Sequence, residues 1–158
     1  MKHTVGVSDM IVSAQRGDVI VTHALGSCLG VAVHDEAACV GGILHYMLPL
    51  SSVDREKAVN NPLMFGDIGI PLLFEKAYRL GARKERIRLV IAGGAQVFER
   101  EDTFAIGKRN IVIARKLFWK NNVIIAAENV GGDMPRTMYL EIGSGKTWFS
   151  SRGESYEL

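Results

Sequence analysis

The order of its elements is what most restricts the fold of this chain. Five short β-like runs crowd into the first 48 residues, at 4–7, 10–14, 18–22, 29–33 and 39–48. A helical pattern then appears over 65–80, with Phe65, Ile68, Leu72, Leu73, Ala77 and Leu80 at helical spacing and Gly81 as its stop. A strand over 86–92 and a second helix over 106–120 follow, the latter with Ile106, Ile113, Leu117 and Phe118 near one face. A buried-looking strand over 123–127 comes next. A hairpin then pairs 137–142 with 146–150 across Gly143-Ser144-Gly145. Strands and helices do not alternate, which disfavours a doubly wound parallel sheet and predicts an α+β fold with two long helices. Pro71 predicts that the regular part of the first helix starts near Ile68 or Gly69, since proline is tolerated in the first turn. Gly41-Gly42 reads as a bulge, and 50–63 reads as an exposed loop with at most a turn of helix.

A length of 158 residues supports one domain, 1–158, with a substantial core. Basic and acidic residues nearly balance, 19 against 17, so no nucleic-acid footprint is expected. The apolar runs are broken well short of the ~20 residues a spanning helix needs, so no membrane insertion is expected. The N-terminus lacks the basic-then-apolar pattern of a secretory signal. Two cysteines without a framework spacing fit a reducing compartment, hence a cytoplasmic location.

Two apparent motifs fail. Gly143-Ser144-Gly145-Lys146-Thr147 resembles the end of a phosphate-binding loop, but Leu140 stands where the first glycine belongs and no helix pattern follows. The turn reading is better. A zinc site from Cys28, His34, Cys39 and His45 lacks the closely spaced ligand pairs of structural zinc. Neither a metal nor a cofactor is expected.

All the thiols and imidazoles, Cys28 and Cys39 with His3, His23, His34 and His45, lie within the first 45 positions. Within them, Gly26-Ser27-Cys28-Leu29-Gly30 is the cysteine form of a nucleophile elbow. A nucleophile on a sharp turn needs small neighbours so that it projects and backbone N–H groups can approach the reacting carbonyl. Gly26 and Gly30 give that room, Gly26 can take positive φ, and N–H groups beside Ser27 and Cys28 can form an oxyanion site. The alternative is a cysteine packed in a strand-turn. Hydrolase and papain-type frameworks place their histidine far downstream of the nucleophile, and no histidine follows position 45, so they are excluded. His45, within the apolar run Gly42-Ile43-Leu44-His45-Tyr46, is the best partner; its alternative role is a satisfied core histidine. His34 and His23 are expected at the surface, and Cys39 is left as the bystander. Asp67 and Arg136 read as a helix cap and an exposed ion.

These pieces together resemble the CheD family. The resemblance runs through Gly17-Asp18-Val19-Ile20-Val21-Thr22, Leu25-Gly26-Ser27-Cys28, Gly41-Gly42-Ile43-Leu44-His45 with Leu48-Pro49, Phe65-Gly66-Asp67, Gly93-Gly94-Ala95, Ile106-Gly107 with Arg109-Asn110, and Gly131-Gly132 with Arg136. It implies a layered α+β fold of packed β-sheets and outer helices, distantly similar to toxin-type cysteine deamidases. It also implies deamidation of glutamine side chains on methyl-accepting chemotaxis receptors, with Cys28, His45 and Thr22 as catalytic residues and Cys28 expected as a thiolate whose pKa its histidine partner lowers. A CheC-type phosphatase is the further partner it implies. Two other readings stay open: a binding module for such a phosphatase, and hydrolysis of receptor glutamate methyl esters by the same thiol.

Overall fold

In a computed structural model, which describes residues 1–96 and 104–158, the chain forms two five-stranded mixed sheets and a helical layer. The strands are β1 (Lys2–Val5), β2 (Asp9–Ser13), β3 (Val19–Leu25), β4 (Leu29–Asp35), β5 (Val40–Tyr46), β6 (Arg88–Gly93), β7 (Ile125–Val130), β8 (Arg136–Glu141), β9 (Thr147–Ser151) and β10 (Glu154–Glu157). The helices are the short α1 (Arg55–Asn60), then α2 (Gly66–Arg79) and α3 (Ile106–Lys120). One sheet runs β1-β3-β8-β9-β10 and the other β2-β5-β4-β6-β7, with the β1–β3 and β6–β7 pairs parallel. No helix among the described residues is long and apolar enough to cross a membrane.

The second sheet is the middle layer, and its central strands show why. Every residue of β4 and β5 is buried. Strands covered on both faces read as continuous apolar runs. Because side chains alternate, Leu29, Val31, Val33, Leu44 and Tyr46 face the helices, where they meet Ile70, Leu73, Phe74, Ala114 and Phe118. Ala32 and Ile43 face the first sheet and pack with Val5, Ile20, Leu25, Met138 and Leu140. The layered α+β expectation agrees with this architecture.

Several local expectations are corrected. Gly41 and Gly42 do not make a bulge: β5 stays in register, and both glycines are space requirements. A Cβ on Gly42 would lie 2.7 Å from Val12 Cγ2 and 2.8 Å from the Ile11 carbonyl oxygen. Helix α2 starts at Gly66, so Pro71 lies inside it rather than in its first turn. Gly81 follows the helix at φ 110, and the Ala82 N–H reaches back to the Ala77 carbonyl, the expected closure. The apolar stripe of α3 is rotated from the expected one: its buried residues are Gly107, Asn110, Ile111, Ala114 and Phe118. Strand β7 is an edge strand and only partly buried. The Gly143–Gly145 segment turns between β8 and β9, as the hairpin reading had it.

Candidate active site

The segment carrying Cys28 crosses from one sheet to the other. β3 belongs to the first sheet and β4 to the second, so Gly26-Ser27-Cys28 is the link between layers. The crossing begins with a bulge. Thr22 pairs with Met138 and Leu25 with Arg136, three steps on β3 against two on β8, and Ala24 takes the left-handed conformation at φ 57. The extra residue turns Leu25 into the core and leaves Ala24 outside. The left-handed residue of this turn is therefore Ala24, where Gly26 was expected to supply it.

Three successive carbonyls fix the link. The Ala95 N–H donates to Gly26 O at 2.8 Å, Asn110 Nδ2 donates to Ser27 O at 2.9 Å, and the Gly94 N–H donates to Cys28 O at 2.9 Å. In a trans peptide the C=O and the following N–H point in opposite directions. The N–H groups of Ser27 and Cys28 are therefore turned away from the anchoring layer. Residues 26–28 are half-buried. Gly30 lies beyond the turn, inside β4. Its lack of a side chain is a packing need, since a Cβ there would meet Met138 Sδ at 2.9 Å and Leu25 Cδ1 at 3.0 Å.

The anchor itself needs glycine. Gly93 has φ 108, and a Cβ on it would lie 2.4 Å from Cys28 O. Gly107, in the first turn of α3, stacks on the same turn: its Cβ would sit 2.6 Å from Gly94 O and Ala95 O. Gly93→Ala is expected to cost about 3 kcal/mol or more through backbone strain and the clash with Cys28 O. A urea midpoint shift is the measurement, and an unshifted midpoint would contradict the close approach.

His45 lies on β5 opposite Gly30. Residues directly opposite share a face, and Cys28 continues the parity of Gly30, so the thiol and the imidazole both face the first sheet. Cys28 accordingly packs at the margin of the inter-sheet core. Cys28 lies one residue beyond the last pair of the ladder, Leu29 with Tyr46, near the end of β5 that carries His45, and its sulfur is not a hydrogen-bond partner of Nε2. The space over Gly30 on that face is filled by the Met138 and Leu25 side chains.

Thr22 faces His45 from β3. Its hydroxyl lies 2.9 Å from the Val5 carbonyl oxygen and 2.7 Å from His45 Nδ1. A carbonyl can only accept, so the single hydroxyl hydrogen goes to Val5 O. The Thr22 oxygen then accepts from Nδ1–H. This fixes the tautomer: Nε2 carries the lone pair, and among the described residues this fully buried atom has no hydrogen-bond partner. Thr22→Val keeps the shape but removes the acceptor. It should free the ring to adopt the other tautomer or orientation, which the imidazole nitrogen NMR shifts read. Unchanged shifts would contradict the arrangement.

Electrostatically the pair is neutral at rest. Burial pushes the Cys28 thiol up from its ordinary value, partly offset by its own backbone N–H. Burial pulls the His45 imidazole down to about 4. The resting state is therefore thiol and neutral imidazole rather than a standing thiolate. A thiolate formed by proton transfer would face the imidazolium it created, and each charge would stabilise the other.

Other expected residues fall elsewhere. His34 is buried, not exposed, with Nε2 2.7 Å from the Ile142 carbonyl oxygen. Cys39 Sγ meets the same oxygen at 3.7 Å, so His34 and Cys39 form a structural pair apart from His45 and Thr22. His23 is exposed, as expected. Asp67 caps no part of α2 but accepts from the backbone N–H and hydroxyl of Ser51. Arg136 is buried rather than exposed. Its guanidinium donates to Asn129 Oδ1, Gly93 O and Gly131 O, stapling the first sheet to the ends of β6 and β7 beside the link. Asn110, which the sequence reading left without a role, reaches the link directly. The available signal was a carboxamide on the buried stripe of a helix.

Fold and site define an α+β protein whose inter-sheet link presents a half-buried cysteine on the same face as a buried, tautomer-fixed histidine. The chain belongs to the CheD family. The family model described as CheD chemotactic sensory transduction matches residues 47–151. Relatives extend the match to nearly the whole chain. It is 51% identical over 149 residues, 94% of this chain and 93% of the relative, to a protein of Syntrophus aciditrophicus (strain SB) named "Probable chemoreceptor glutamine deamidase CheD 1". It is 45% identical to a CheD protein of Solibacter usitatus (strain Ellin6076), covering 98% and 91% of the two chains. It is 40% identical to one of Anaeromyxobacter dehalogenans (strain 2CP-C), covering 94% and 93%. Both carry the same deamidase name.

Proposed function

We propose that this chain is a protein-glutamine deamidase acting on chemoreceptors, with Cys28 as nucleophile, His45 as proton shuttle and Thr22 as the group that orients it. The observation that carries the reading is the commitment of His45 Nδ1 to Thr22, which leaves a buried, unpartnered Nε2 on the face shared with the half-buried Cys28 thiol. A satisfied core histidine would have used both nitrogens.

In the proposed reaction, Nε2 takes the Cys28 S–H proton as sulfur attacks the carboxamide carbon of a receptor glutamine. The electron pair of the C=O bond moves to oxygen, and the Ser27 and Cys28 N–H groups receive the oxyanion. The tetrahedral adduct collapses, the C–N bond breaks, and the imidazolium proton leaves with the nitrogen as ammonia. A water molecule, deprotonated by Nε2, then attacks the thioester carbon. The C–S bond breaks, the thiol regains its proton and glutamate remains. Gly26 supports the turn, and Gly30 gives Leu25 and Met138 room to pack beside the link. The two free cysteines support a reducing compartment, and with it a cytoplasmic reading. A core on each face of one sheet supports reading residues 1–158 as one domain.

The test is to incubate the protein with a receptor cytoplasmic fragment and follow ammonia and peptide mass. Each converted glutamine gains about one dalton as the amide becomes an acid. Methanol released from a methylated receptor, without ammonia, would instead make it a methylesterase. Binding of a CheC-type phosphatase with neither product would favour the binding module.

A further inference from the structure

Asn110 sits on the buried face of α3 with no exposed surface, and its side-chain amide is shared between the two halves of the site. Nδ2 donates to Ser27 O at 2.9 Å and to Met47 O at 2.9 Å. Ser27 immediately precedes the thiol, and Met47 follows the imidazole by two residues. Both partners are carbonyl oxygens, which only accept, so the NH2 end must face them and the amide orientation is determined. Each of the two amide hydrogens has its own acceptor. The backbone is engaged as well: the Tyr46 hydroxyl donates to Asn110 O at 2.6 Å, tying α3 to the residue next to His45.

The Asn110 Oδ1 atom is also fully buried, and among the described residues it has no partner. An unpartnered buried acceptor opposes folding, and an apolar side chain on this stripe would avoid that cost. What the carboxamide gives in return is a bridge that fixes the crossing link against the end of β5. We infer that Asn110 is a positioning residue that sets the distance between the Cys28 thiol and the His45 imidazole by holding Ser27 and Met47 on one amide nitrogen. The inference rests on the reading of Cys28 and His45 as the reacting pair. Catalysis at this pair depends on near-attack geometry, and a displacement of about 1 Å is enough to cost about 10²-fold.

The test uses Asn110→Leu, which keeps the side chain buried and of similar shape but removes both donors. Its kcat on a receptor fragment should fall about 10²-fold with KM within about twofold, while iodoacetamide alkylates Cys28 faster at pH 7 because the released link is more open. A merely structural role would lower the melting temperature without moving kcat and thiol reactivity in opposite directions. Hydrogen exchange on the wild-type protein gives a reading that needs no variant. The Asn110 side-chain protons should exchange as slowly as core amides, and far more slowly than those of the exposed Asn60. Wild-type kcat and alkylation in a folded Asn110→Leu, or surface-like exchange at Asn110, would overturn the inference. Failure of the deamidase reading looks different: the wild-type protein itself would release no ammonia, whatever its alkylation and exchange show.

Discussion

Cys28→Ala should release no measurable ammonia from a receptor fragment, a loss of about 10³-fold or more, because it removes the thiol that forms the acyl intermediate. The variant should stay folded. The thiol lies at the margin of the inter-sheet core and is half-buried, while the link is held by the carbonyls of Gly26, Ser27 and Cys28, none of which the substitution removes. Cys28→Ser should be almost as inactive. A serine hydroxyl is far less acidic than a thiol, and an imidazole whose pKa burial has lowered to about 4 is a weak base for it. The resting neutrality of the pair adds a kinetic signature. In the free protein, alkylation of Cys28 should rise above the ordinary thiol pKa, not below it. Cys39→Ala provides the control: its sulfur lies against the structural Ile142 carbonyl, apart from His45 and Thr22, and activity should stay within about twofold. Ammonia release by Cys28→Ala would remove the thiol from the mechanism.

Strands β4 and β5 were legible in the sequence because strands buried on both faces read as apolar runs, here 29–33 and 40–44, broken only by glycine. The elbow was legible because a thiol between small residues is uncommon. Less of the surrounding support could be read. Thr22 and His45 are 23 positions apart and meet only because β3 and β5 face each other from different sheets. Periodicity within either strand carries no information about that meeting, and Thr22 was nominated by family resemblance alone. Arg136 was read as exposed because lone arginines usually are. Its burial depends on three oxygen acceptors contributed by β6, β7 and the Gly131 loop. Asn110 is the same case on α3: its partners lie 83 and 63 positions away. Gly41 and Gly42 suggested a bulge because a strand glycine signals either a bulge or a close approach. Here Val12 and the Ile11 carbonyl on β2 make it a close approach.

His45→Gln should lose activity by about 10³-fold or more and yet gain resistance to acid. Both effects come from one fact, an imidazole held neutral in the core. Its folded pKa, about 4, lies below the ordinary 6.5. Between these values the unfolded chain binds the proton and the folded chain does not. Stability contributed at this site is therefore complete above about pH 6.5 and is lost as pH falls toward 4. At 1.36 kcal/mol per pKa unit the loss comes to about 3 kcal/mol. Asp18 and Asp35 also weaken the fold in acid. Hydrogen bonds and neighbouring cations hold their carboxyls below the usual range, so their contribution fades as pH falls through those lowered values. They are the same in both proteins, so the difference between wild type and variant isolates the imidazole. Urea midpoints at pH 7 and pH 4.5 should converge or cross: the wild type falls steeply, while the glutamine variant, with nothing to titrate at that position, falls less. Parallel midpoints would mean that His45 is not buried in its neutral form. Activity retained with steep acid loss would mean that the imidazole packs the core without moving a proton.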